Sequence, residues 1–161
     1  MFKKILVPLD GSDLAAQILP QVETLAKQTN AAVTLLTVGS SDICAPGAAP
    51  VEPVKEGASC PELPIAAYLE QTAGKLRSQG VEVNWVYKQG QPAPEIIAYA
   101  AANDMDLIAI ASHGAGEFAW ILGSVANRVM AHATVAVLLW RVTEPKPPTL
   151  KSEMFYSIQT P

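Results

Sequence analysis

Hydrophobic positions along the chain fall into two kinds of pattern that take turns. Residues 3–9 (KKILVPL), 31–38 (AAVTLLTV) and 106–112 (DLIAIAS) are short, nearly unbroken apolar runs, the signature of strands buried on both faces. Residues 81–88 (VEVNWVYK) alternate as a half-buried strand does, and residues 135–142 (VAVLLWRV) close the series as a fifth. Between these runs the apolar spacing turns helical. Leu14, Ile18, Val22, Leu25 and Ala26 predict one helix, with Ser12 or Asp13 placed to cap its start. A second helix spans about 61–79 and ends at Gly80, which suits a left-handed cap. A third runs from Pro94 to about Asn103 with Ile96, Ile97 and Ala100 facing inward, and a fourth follows Gly123 to about His132.

Strands alternating with helices predict an α/β fold, a doubly wound five-stranded parallel sheet with helices on both faces, because parallel strands need long right-handed crossovers. Ligands on such sheets bind at the carboxyl ends of strands where the strand order reverses. Pro8-Leu9-Asp10, Val38 and the stretch Ala111-Ser112-His113-Gly114 all occupy such ends, so residues distant in sequence would share one crevice.

The stretch 108–129, IAIASHGAGEFAWILGSVANRV, carries the strongest chemical signal. A strand stopping at small residues leaves N–H groups approachable, and a helix opening at Gly123-Ser124 adds more of them at the positive end of its dipole. Together they favour an anion. Each residue also has a plainer reading. Asp10 before Gly11-Ser12 can be only a turn, and Ser124 only an N-cap with Gly123 as the residue that turns the chain into the helix. His113 can be a loop imidazole without a ligand, His132 suits a helix end, and Trp120 and Trp140 read as core or interface anchors.

Composition narrows the partners. The 161 residues are half hydrophobic, enough for the core of one domain, with a formal charge of −4. No concentrated basic face is present to bind nucleic acid or an anionic membrane, and no segment reaches membrane-spanning length. Pro8 and Asp10 cut the N-terminal apolar run too short for a signal peptide, so a cytoplasmic location is expected. The domain is expected to occupy residues 1–142, interrupted by an irregular Pro-, Gly- and Ala-rich insert at about 39–60. A Pro-rich tail, 143–161, follows. Cys44 and Cys60 both fall in the insert, as reduced thiols on a loop or, alternatively, as a redox pair.

Taken together, KKILVPLDGS, AAVTLLTV, DLIAIASHG and GSVANRVMAHATVAVLLWR resemble the universal stress protein family over nearly the whole length to Arg141. The resemblance implies a sheet of order 3-2-1-4-5, as in adenine nucleotide alpha hydrolase-like proteins. It also implies a homodimer paired through the last strand, here residues 135–142, and a division between ATP-binding and non-binding members. By motif position, Pro8, Asp10 and Val38 would bound the adenine and ribose. Ala111, His113 and Gly114 would follow the ribose and phosphates, and Gly123, Ser124 and Val125 would close on the phosphates. The implied ligand is ATP or another adenine nucleotide, with Mg as the phosphates' counter-ion. This chain departs from the family pattern twice: Ala111 replaces the first Gly, and the segment between Gly114 and Gly123 is one residue short. Weaker binding with a reduced preference for triphosphate is expected.

Groups for turnover are missing. There is no GxxxxGK[S/T] loop, no Ser-His-Asp arrangement that spacing supports, and no metal-ligand set in two histidines and two loop cysteines. The leading expectation is therefore a nucleotide-responsive stress or regulatory module without efficient turnover. An interaction protein of the same fold, acting through its dimer surface, insert or tail, is the alternative. A hydrolase is the least supported reading, since no catalytic group can be named.

Overall fold

The computed structural model describes residues 1–39, 62–112 and 122–142, side chains 62–64 excepted. The elements run β1 (Lys4–Pro8), α1 (Asp13–Ala16), α2 (Leu19–Thr29), β2 (Ala32–Gly39), α3 (Glu62–Ser78), β3 (Val83–Gln89), α4 (Pro92–Ala102), β4 (Leu107–Ala111), α5 (Ser124–His132) and β5 (Ala136–Trp140). All strand pairs are parallel, in the order β3-β2-β1-β4-β5. The doubly wound sheet of order 3-2-1-4-5 is thus present. Cys44, Cys60, His113, Gly114, Trp120 and the tail lie outside the described residues, as does the insert beyond its first position. That position, Gly39, is the last residue of β2 and pairs with Gln89 of β3.

The strands read as continuous apolar runs because both sheet faces are covered. Ile5, Val7, Leu35 and Ala109 point into a core shared with α1, α2 and α3. Leu6, Leu36, Ile108 and Ile110 point the other way, into a core shared with α4 and α5. Burying each of the valine, leucine and isoleucine side chains fully contributes about 1.5–3 kcal/mol, so the two cores, more than helix propensity, hold the layers on the sheet.

Two helix boundaries differ from expectation, and the left-handed cap expected at Gly80 is present. The single helix expected across Leu14 to Ala26 is broken into α1 and α2. Pro20 has no N–H to give the Ala16 carbonyl, and its ring opposes that carbonyl. The chain turns through tighter bonds instead, Gln17 N–H to Leu14 O at 3.2 Å and Ile18 N–H to Ala15 O at 3.5 Å, and α2 restarts with Pro20 in its first turn, where no donor is required. Helix α4 begins at Pro92, two residues early, with Ala93, Ile96 and Ala100 buried. Ile97 packs only partly against that core. At the end of α3, Gly80 has φ +84°. Its N–H donates to Arg77 O at 2.9 Å and that of Val81 to Leu76 O at 3.2 Å, the paired bonds of a left-handed cap.

Candidate functional site

The site begins with a missing donor. In β1 successive N–H groups point to opposite neighbours: Leu9 donates to Leu36 O of β2 at 2.8 Å, so the backbone nitrogen of Pro8 faces β4. Proline has nothing to donate there. Pairing between β1 and β4 stops at Leu6↔Ile108, whereas β4 continues against β5 as far as Ala111↔Trp140. The sheet therefore opens between β1 and β4 at the point where the strand order reverses, as the crevice rule requires.

Into that opening falls a cavity of about 270 Å³, near the low end of the roughly 300–1,000 Å³ usual for ligand pockets. Pro8, Asp10, Val38, Ala111, Gly123, Ser124 and Val125, all assigned to a site from the sequence, line it together. His113 and Gly114 lie outside the described residues. Most of the remaining wall is apolar, from Leu36, Pro92, Ile96 and Ile110, and Asp10 is the one ionisable side chain among the described lining residues.

Asp10 is held by its own turn. Its Oδ1 accepts from the Ser12 N–H at 2.9 Å and from the Ser12 hydroxyl at 2.6 Å, a local bond that suits the left-handed Gly11 between them at φ +82°. The Ser12 Oγ in turn accepts from Ala15 N–H at 3.1 Å and caps α1. The acidic character of this corner reaches the opposite core: burial first, then the charge of Asp10, then that of Asp13, push the Tyr68 phenol up.

The far wall is set by Ser112. Its N–H donates to Trp140 O at 2.7 Å and its carbonyl accepts from Gly123 N–H at 2.9 Å. Its hydroxyl accepts from Val142 N–H at 3.3 Å. One buried residue thereby ties the end of β4 to the end of β5 and to the start of α5. Gly123, and not Ser124, is the N-cap, in an extended conformation at φ −54° and ψ 145° with no side-chain cap. The first helical bond runs from Asn127 N–H to Gly123 O at 2.9 Å. The amides of Ser124, Val125 and Ala126 consequently have no acceptor within the helix.

Leu36, Pro92, Ile96, Ile110 and Ala126 were not assigned to the site from the sequence, and Ser112 was placed at the crevice only as part of the strand end Ala111 to Gly114. The strand period could have given Leu36, since it shares a face with Val38. Pro92 follows the carboxyl end of β3 and could have been found by extending the strand-end argument to that strand. Among the described residues no cluster of three His, Cys, Asp or Glu side chains could hold a metal ion, and no helix is long and apolar enough to cross a membrane.

Comparison with known proteins adds to this geometry. The sequence profile of the Universal stress protein family matches residues 1–141. Universal stress protein YxiE of Bacillus subtilis is 30% identical over 151 residues, covering 88% of this chain and 100% of the relative. A universal stress protein of Methanocaldococcus jannaschii is 31% identical over 151 residues, covering 91% of this chain and 85% of the other. Among solved structures, a universal stress protein in complex with cAMP superimposes with a TM-score of 0.67 at 19% identity, covering 88% of this chain and 98% of that one. One from Archaeoglobus fulgidus in complex with dAMP gives 0.60 at 18% identity, covering 86% and 97%.

Proposed function

Because the chain belongs to the universal stress protein family, we propose that it is a regulatory stress-response module that binds an adenine nucleotide in the crevice between β1 and β4 and does not turn it over efficiently. The observation that carries this reading is the junction of an apolar pocket at the ends of β1, β2 and β4 with the uncapped start of α5. A planar base fits against Leu36, Val38, Pro92 and Ile96. A phosphate fits the amides of Ser124, Val125 and Ala126, where a helix dipole favours negative charge. Relatives of the same fold solved with cAMP and dAMP support the ligand class.

The absence of turnover rests on what lines the cavity. Phosphoryl transfer needs cations on the developing charge and a group that orients the nucleophile. The described wall offers one carboxylate, Asp10, and no basic side chain. A divalent cation would enter with the phosphates. Titration calorimetry on the purified protein with adenylates up to millimolar concentration, magnesium present, tests the proposal. Heat of binding that saturates supports it, and its absence for every adenylate overturns it.

The same reading includes a homodimer through β5. Among the described residues that strand forms an edge of the sheet, pairing only with β4, and it presents half-buried Val137, Leu138, Leu139 and Trp140. Such an edge is satisfied in closed form by a twofold partner. Light scattering at micromolar concentration should give about twice the 17.0 kDa chain mass, and a monomeric mass contradicts the dimer.

A further inference from the structure

Resting on that nucleotide site, we propose that the crevice is selective for a single phosphate: it holds a nucleoside monophosphate at the start of α5 and disfavours a triphosphate that arrives without a divalent cation. Among the described residues three helix starts border the cavity. Helix α1, whose Ala15 lines it, is closed to anions: the Ser12 hydroxyl already caps it, and Asp10 and Asp13 flank it. Helix α4, whose Pro92 lines it, has proline at its first and third positions, so those two amide donors do not exist. Glu95 occupies its first turn, and Lys88 at the end of β3 is engaged by that carboxylate at 3.2 Å.

Only α5 remains open. It has no side-chain cap and no acid in its first turn. The Gly123 N–H is spent on Ser112 O, which leaves the amides of Ser124, Val125 and Ala126, a set suited to the oxygens of one phosphate. Beyond that point nothing among the described lining residues offsets further charge. No lysine or arginine lines the described cavity, and residues 113–121 contain neither, while they do contain Glu117. Arg128 stands one turn deeper on α5 and is exposed. Each added phosphate brings another negative charge toward Asp10 and the acidic starts of α1 and α4, with no fixed cation among the described lining residues to meet it. The neutral donors of a helix start compensate a partial charge only.

The test is calorimetry on the full chain with four ligands: adenosine, AMP, ATP in chelator, and ATP with magnesium. AMP should bind more tightly than adenosine and at least about tenfold more tightly than magnesium-free ATP, with magnesium closing most of the gap. Ser124→Lys, which places a cation at an exposed position beside the open amides, should shift the ATP-to-AMP affinity ratio toward ATP by about tenfold. If magnesium-free ATP binds as tightly as AMP, or adenosine as tightly as AMP, the inference fails while the nucleotide reading stands. Absence of binding by all four ligands overturns the nucleotide reading and the inference with it. Should Ser124→Lys not fold, the four-ligand comparison on the unaltered chain decides by itself.

Discussion

The same two strands, β1 and β4, behave in opposite ways at their two ends. At the amino end they are clamped: the Asp106 N–H donates to Lys4 O at 3.0 Å, and the Asp106 carboxylate accepts from the Lys3 and Lys4 amides at 2.7 and 2.9 Å. At the carboxyl end, beyond Leu6↔Ile108, Pro8 offers β4 no donor and the strands part around the cavity. One side-chain acceptor closes one end and one absent N–H opens the other. A crevice in this sheet therefore needs no distortion of the core, only a place where pairing is allowed to stop.

The largest effect should come from breaking the last rung shared by both ends. Leu6, fully buried, reduced by Leu6→Ala should cost about 2–5 kcal/mol of unfolding free energy by denaturant titration. A loss below about 1 kcal/mol would mean that the sheet centre does not depend on this contact. At the open end, Gly123→Val should weaken adenylate binding at least tenfold, about 1.4 kcal/mol. The fold should survive, because φ −54° suits any residue and the cost at an N-cap is about 1 kcal/mol. Unchanged affinity by calorimetry would remove the phosphate from the start of α5.

At the clamped end, the Lys3 and then the Lys4 amides hold the Asp106 carboxyl below its ordinary range. A depressed folded-state pKa stabilises above the unfolded-state value, and that stabilisation is lost as pH falls through the folded-state value. Asp106→Asn should thus lower the melting temperature at neutral pH by less than Leu6→Ala does, with the difference closing in acid below the ordinary carboxylate range. A pH-independent difference would assign the effect to packing.

The smallest effect is expected from Pro8→Ala, which restores a backbone N–H aimed at β4. Stability should change by about 1 kcal/mol or less and affinity should fall by less than about tenfold as the strands close. Rapid amide exchange at position 8 with unchanged affinity would show that the strands are held apart by something other than the missing donor.

Much of this was legible along the chain, for reasons that stay local. The apolar runs at β1, β2 and β4, the alternation in β3 and the left-handed Gly80 are set by period and by backbone sterics, both of which act within a few residues. Pro8, Asp10, Val38, Ala111, Gly123, Ser124 and Val125 could be placed at strand ends and a helix start before any contact was known. Pro20 was legible too, yet the spacing of Leu14 to Ala26 concealed the break, since a hydrophobic stripe continues across a turn that keeps the same face buried.

Pattern along the chain settles the inventory: five strands, the helical segments between them, and which chemistry stands at which strand end. Tertiary structure alone decided the rest. Which neighbour the nitrogen of Pro8 faces depends on the strand order. That Ser112 gathers Trp140, Gly123 and Val142 depends on register. That α1 and α4 turn capped, acidic or donor-poor starts to the same cavity to which α5 turns an open one depends on the crossovers. Period and propensity act over a few residues, whereas a cavity is made of groups from opposite ends of the chain, and only their packing brings them within reach of one ligand.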